Sequence, residues 1–162
     1  MKTFDQLQEG VYDPNIFKAF FLAGGPGSGK SFVVRKTTGG LGLKIVNSDT
    51  AFEKLLKDAD FSLDFRDMSP EKTLERDKIR KRAQEVTDKM KSNFVAGRLG
   101  MIIDGTGAEY GKIEKQVKML QQLGYDTHMI FVNTSLDTAI ERNNQRARKL
   151  PLDIVKTYWN NV

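Results

Sequence analysis

Residues 22–31 read LAGGPGSGKS, and Gly24, Gly29, Lys30 and Ser31 satisfy the spacing G-x-x-x-x-G-K-S. Glycines at 24, 25, 27 and 29 let the backbone turn tightly and approach an anion without a side chain in the way. The stretch Gly25, Pro26, Gly27, Ser28, Gly29 can then aim backbone N–H groups at a chain of phosphates. Lys30 would reach the β- and γ-phosphates and the Ser31 hydroxyl would ligate Mg²⁺. Phe32 continues into a helix whose positive end backs the site. The competing reading is a glycine-rich surface turn. Against it stands the context, an apolar run before the loop and a helix-forming run after it. A loop of this kind leaves open what receives the terminal phosphate.

The elements that must hold this loop can be read from periodicity. FKAFFLA predicts a buried strand over 17–23, and a helix follows from about Lys30 to Thr38. A second strand is expected over 43–47. A helix should start near Asp49, with Phe52, Leu55 and Leu56 on one face. Residues 60–69 read as a loop or an irregular piece. Ser69, Pro70 and Glu71 are a capping hydroxyl, an initial proline and an acid at the positive end of a long helix. Its stripe is Ile79, Ala83, Val86, Met90 and Phe94, and Gly97 and Gly100 close it. MIID is a third strand ending on Asp104. A helix over 109–123 shows Ile113, Val117 and Leu120 and stops at Gly124. YDTHMIFVN is a fourth strand. Ser135 caps a helix running into ERNNQRARKL, Pro151 interrupts it, and a last helix begins at Leu152.

Strand and helix alternate, and the strands look buried on both faces. With the glycine loop, this predicts an α/β chain with a three-layer P-loop NTPase fold, a mostly parallel sheet flanked by helices. Residues 1–162 read as one domain, and four strands where about five are usual suggest a small or C-terminally shortened one. His128 is expected packed or at a sheet edge, and Ile154, Tyr158 and Trp159 as core contacts of the last helix.

In this order, GGPGSGKS, VNSDTAF, IIDGTG and ERNNQRARKLPLDIV resemble the P-loop kinase superfamily. Within it the chain is most similar to the zeta-toxin group and to the kinase domain of phage polynucleotide kinase. In both groups an aspartate after the second strand activates the acceptor hydroxyl, and here that position is Asp49. A carboxylate there, beyond the ends of parallel strands, can orient a hydroxyl and take its proton. Aspartate is also a common helix cap, and the two roles are compatible. The resemblance makes Asp104 a Walker-B aspartate holding the Mg²⁺ shell through water, where an Asp-Gly turn is the plainer reading. It makes Thr106 a substrate contact. It places Arg142, Arg146 and Arg148 in a lid that closes over the phosphates. Arg142 and Arg146 are an i,i+4 pair expected on one helix face, where two cations repel unless they serve an anion or are simply solvated. Those two are expected to aid catalysis, and Arg148 to contact the nucleotide.

The cofactors implied are ATP and Mg²⁺, ATP rather than GTP resting on the family alone. The acceptor reads as a small hydroxyl compound such as a nucleotide sugar or nucleoside, with a nucleic-acid 5′ end as the alternative. The polynucleotide kinase carries an arginine three positions after its aspartate, where this chain has Phe52, which weakens that alternative. The zeta group is matched at NSDTAF, IIDGTG and LGYDTHMIFV. Arg76, Arg80 and Glu85 could wall an acceptor pocket, although RDKIRKR reads more simply as a solvated face. Two other classes compete: an NTPase with water as acceptor and a binding module without turnover. Hydrolytic relatives usually place a glutamate beside the Walker-B aspartate, where this chain has Gly105, and Glu109 lies too far along.

Composition narrows the setting. The 162 residues are 39% hydrophobic and 29% charged, a globular mixture. No apolar run approaches ~18 residues, so no membrane span is expected. There is no cysteine, which excludes disulfides and thiolate chemistry and suits a reducing cytoplasm. A net charge of +5 favours anionic ligands without choosing among them.

Overall fold

The apolar run before the glycines becomes the central strand. The computed structural model describes residues 16–37 and 41–162. In it β1 (Lys18–Ala23) is flanked by β3 (Met101–Asp104) and β4 (Asp126–Phe131), and β2 (Lys44–Val46) lies outside β3. All three pairings are parallel, in the order β2-β3-β1-β4. In register, Leu22 lies beside Asp104 and Ala23 beside Phe131. The glycine loop, Asp104 and the end of β4 therefore share one edge of the sheet, where open α/β sheets place their ligands.

Helices cover both faces, as the alternating pattern predicts. Towards one face, Ala19, Phe21, Val46, Met101, Leu120 and Tyr125 form a core with Phe94 and Val95 of α3 (Pro70–Ala96) and Ile113 and Val117 of α4 (Tyr110–Gln122). Towards the other, Leu22 and Ile102 pack on Val34 of α1 (Lys30–Thr37). Each large side chain so buried contributes about 1.5–3 kcal/mol. The expected helix end at Thr38 and the glycines at 39 and 40 lie outside the described residues. Among the described residues no helix is long and apolar enough to cross a membrane.

A separate cluster sits away from the sheet. Phe52 and Leu56 of α2 (Ser48–Asp58) pack on Phe65 and on Ala83 of α3, with Ile79, Leu63 and Leu150 around them. Residues 60–69 are irregular, as expected, yet they are tied down. Phe65 N–H donates to the Lys149 carbonyl and Lys149 N–H to the Leu63 carbonyl, both at 3.2 Å.

Several expectations are corrected. The strands are not all buried on both faces. Both outer strands are partly bare: Ile45 of β2 and Met129 and Phe131 of β4 are each more than half exposed. They sit at the two sheet edges, so neighbours cover them on fewer sides. Val86 is exposed and Thr87 takes its place in the buried stripe of α3, its hydroxyl satisfied by the Ala83 carbonyl at 2.8 Å. Val155 is the buried residue of α6 (Leu152–Asn160), whereas Ile154 and Tyr158 are exposed. Trp159 is half-buried and donates to the Thr134 carbonyl at 2.8 Å. His128 lies on the edge strand β4, stacked on Phe20 and 3.1 Å from Asp126.

Candidate active site at the carboxyl ends of the strands

The glycine loop is built by contacts that only glycine permits. At Gly27, with φ 81°, a Cβ would lie 2.7 Å from the Ala139 carbonyl on α5 (Leu136–Gln145). At Gly24 it would lie 2.5 Å from the Val132 carbonyl. Gly24 N–H donates to the Thr106 carbonyl at 2.8 Å, which fastens the loop after β3 to the glycine loop. The Ser28 hydroxyl is buried without a partner among the described residues. Lys30 turns back on the loop, its ammonium donating to the Gly24 carbonyl at 2.5 Å and to that of Gly25 at 3.3 Å. Burial lowers its pKa, and Asp104 and Asp49 act in the opposite sense. A cradle of glycines, an unpartnered hydroxyl and a desolvated cation fit a polyphosphate. Pro26, Gly29 and Ser31 complete the loop, and Phe32 is 59% exposed beside it.

Among the described residues the Asp104 side chain accepts one hydrogen bond, from the Asn47 amide to Oδ2 at 2.7 Å, so Oδ1 would be available to a cation shell. Burial raises its pKa and Lys30 opposes that. Among the described residues no cluster of three or more acidic or histidine side chains could by itself hold a metal. A hydroxyl and a single carboxylate would suit Mg²⁺, which takes few protein ligands together with phosphates and water. Ser31 and Asp104 are the residues that would hold it. The sequence did not point to Asn47. Its side-chain oxygen caps α2 by accepting from Asp49 N–H at 2.7 Å. Asp49 is therefore not the cap, because the asparagine two positions earlier takes that role and leaves the carboxylate out of the capping. An asparagine preceding Ser-Asp at a helix start is a signal that could have revealed this.

Asp49 is held by two guanidiniums. Arg148 donates to both of its oxygens, at 3.1 and 2.6 Å, and Arg80 to one at 2.6 Å. Burial works against the carboxylate, but these bonds and charges outweigh it and hold the pKa well below the usual range. Arg148 is 8% exposed, and its Nε makes an ion pair with Glu53 at 3.2 Å. Arg80, which the sequence left on a solvated face, instead bridges α3 to α2 and lies over the Phe52 ring, 5.0 Å from its centroid.

The lid arginines diverge from the expected single face. Helix α5 ends at Gln145, and Arg146 has an extended backbone, so Arg142 and Arg146 do not share a helix face. The cause is Asn143, 1% exposed, whose amide group both accepts from Leu150 N–H at 3.0 Å and donates to the Leu150 carbonyl at 2.9 Å. This clamp turns the chain back after α5. Arg142 reaches the glycine loop, donating to the Gly27 and Ser28 carbonyls at 3.0 and 3.2 Å. Arg146 is half-buried and donates to the Arg148 carbonyl at 2.9 Å. Burial and the Arg148 charge oppose its cationic form, while Asp49 and Glu53 favour it. Lys30, Asp49, Asp104, Arg146 and Arg148 thus form one electrostatic cluster, with Arg142 at its loop side. Thr106 lies in the loop after β3, its carbonyl bonded by Gly24 N–H and its hydroxyl accepting from Ala108 N–H at 3.4 Å. Replacing Asn143 with alanine would strand both Leu150 backbone groups, and thermal unfolding should show a loss of about 2 kcal/mol.

A protein-family model described as an AAA domain matches residues 20–160. The chain belongs to this family. No curated protein sequence matches it. Solved structures share the AAA domain's fold at low identity. One is the Pnkp1/Rnl/Hen1 RNA repair complex, at 18% identity and a TM-score of 0.63, covering 90% of this chain and 44% of that one. Another is AvrRxo1-ORF1:ORF2 with ATP, at 15% and 0.69, covering 90% and 47%. A third is the PezAT toxin–antitoxin system of Streptococcus pneumoniae, at 16% and 0.55, covering 78% and 53%. The chain spans about half the length of these proteins. Its fold is that of P-loop kinase-like domains, in keeping with the resemblance of the four motifs.

Proposed function

We propose that this AAA domain is an ATP-dependent kinase that transfers the γ-phosphoryl group to a hydroxyl of a small molecule, such as a nucleotide sugar or nucleoside. The observation that carries this reading is a half-exposed carboxylate, Asp49, within electrostatic reach of the phosphate-loop lysine and held ionised by Arg80 and Arg148. A carboxylate so placed accepts a hydrogen bond from an incoming hydroxyl and aims its oxygen at the γ-phosphorus. The new oxygen–phosphorus bond forms as the bond to the β–γ bridging oxygen breaks. ADP leaves, and the hydroxyl proton passes to Asp49. Two guanidiniums make Asp49 a weak base, so orientation is its larger contribution. Lys30, Arg142 and Arg146 supply positive charge around the transferring group. Mg²⁺, when bound at Ser31 and Asp104, neutralises phosphate charge.

Water is disfavoured as the intended acceptor. Gly105 follows Asp104, and Glu109 is exposed and paired with Lys112 at 2.5 Å, away from a water-activating role. The test follows γ-labelled ATP with Mg²⁺ against nucleosides, UDP-sugars and 5′-hydroxyl oligonucleotides. Label on a small acceptor is expected. Label confined to oligonucleotides would replace the acceptor class, and free phosphate unaffected by any acceptor would overturn the kinase reading.

A further inference from the structure

The two arginines on Asp49 are unequal. Arg148 already gives each carboxylate oxygen a donor, and it is buried; its Nε lies 3.2 Å from Glu53 as an ion pair but makes no hydrogen bond among the described residues. Arg80 adds only one bond to an oxygen that Arg148 has satisfied. Its side chain is about one-third exposed, and among the described residues its other donors make no hydrogen bond. A guanidinium has five N–H donors in a flat fork suited to gripping an oxyanion with two of them. The Phe52 ring, with the Arg80 Cζ 5.0 Å from its centroid, is 3% exposed and packed in the α2–α3 cluster, so the guanidinium sits over a buried aromatic seat. One turn earlier, Arg76 has the same relation to Phe65, at 5.6 Å, but Asp77 occupies its Nε and NH2 donors. Arg80 is the arginine of this pair left open, and it touches the carboxylate that would orient the acceptor.

We infer that Arg80 binds an oxyanion on the acceptor, so that the preferred substrates carry a phosphate or carboxylate close to the hydroxyl that is phosphorylated. This deepens the kinase reading of the same site and rests on it. An anion gripped by Arg80 while the neighbouring hydroxyl bonds Asp49 fixes the acceptor at two points, which converts encounter into alignment. The effect falls chiefly on KM, because the contact exists before and during transfer.

The test uses matched acceptors on the whole chain: adenosine against adenosine 3′-monophosphate, N-acetylglucosamine against UDP-N-acetylglucosamine, and glucose against glucuronate. Wild type should favour the anionic member of a pair. In Arg80→Gln the ratio of kcat/KM for anionic over neutral members should fall at least tenfold, mainly through KM, and Arg80→Lys should retain part of it. A ratio unchanged by Arg80→Gln, with its Tm near wild type, overturns the inference and leaves the kinase reading standing. Binding is read separately, with the glycine loop filled by a non-hydrolysable ATP analogue. Calorimetric titration with adenosine 3′-monophosphate and UDP-N-acetylglucosamine should show heat with wild type and a loss with Arg80→Gln. Equal heats, or none from either protein, would overturn Arg80's role even where transfer is seen. Phosphate release without any labelled acceptor would instead sink the kinase reading itself.

Discussion

Replacing Lys30 with alanine is expected to lower phosphoryl transfer by roughly 10³-fold or more, the scale on which single preorganised charge donors act. It should not lower Tm. Among the described residues the Lys30 ammonium donates to the Gly24 and Gly25 carbonyls alone, and burial, against the opposing charges of Asp104 and Asp49, pushes its pKa below 10.5. The unfolded chain therefore keeps that proton to higher pH than the folded one. Its contribution to stability rises as pH climbs through the interval below 10.5 and is least favourable at lower pH. Lys30→Ala removes that burden, so a Tm equal to or above wild type is expected together with lost turnover. A variant that turns over normally would remove the glycine loop from the chemistry.

Asp49→Asn is the second large effect. Acceptor phosphorylation should fall by about 10²–10⁴-fold while ATP affinity stays within a few-fold, measured by single-turnover transfer and by nucleotide titration. The substitution also leaves Arg148 buried with Glu53 as its remaining acidic partner. Because Asp49 is 42% exposed, solvent screens much of the loss, and a cost of about 1–2 kcal/mol is expected. The pH profile separates the roles further. The Asp49 pKa is depressed, so its stabilising pairing is fully present above the unfolded value of 3.8 and is lost only as pH falls below it. Between pH 4 and 7 the wild-type acid limb should carry no inflection from Asp49. An inflection there that vanished in Asp49→Asn would mean the arginines had left the carboxylate before transfer.

These two variants probe opposite sides of one cleft. On the proposed reading Lys30 serves the nucleotide and Asp49 the acceptor, and Asn47 and Asn143 hold the frame around them. Asn47 joins the start of α2 to Asp104, and Asn143 turns the chain so that Arg148 reaches Asp49. Neither needs to touch substrate. Both are amides because each must donate and accept at once, which a carboxylate or hydroxyl of the same reach would do less well.

Local sequence determined the elements and the phosphate loop. Apolar runs ended by glycine or aspartate became parallel strands. Ser69 and Ser135 capped their helices with side-chain bonds to Lys72 and Thr138 N–H, as hydroxyls at helix starts do. The loop was legible because its glycines answer to steric limits that operate within a few residues. Tertiary structure decided the rest. Arg148 is 99 residues from Asp49 and Arg80 is 31, so no spacing rule links them. The Arg142–Arg146 face expected from helical period was cancelled by Asn143, whose pull on Leu150 acts after the helix period is set. The exposed strands β2 and β4 were misread because hydrophobicity alone does not tell a central strand from an edge, which is settled by the number of neighbours. Spacing along the chain reports what backbone geometry requires locally. Which charges meet across a cleft depends on how separate elements pack, and that information is spread over the whole fold.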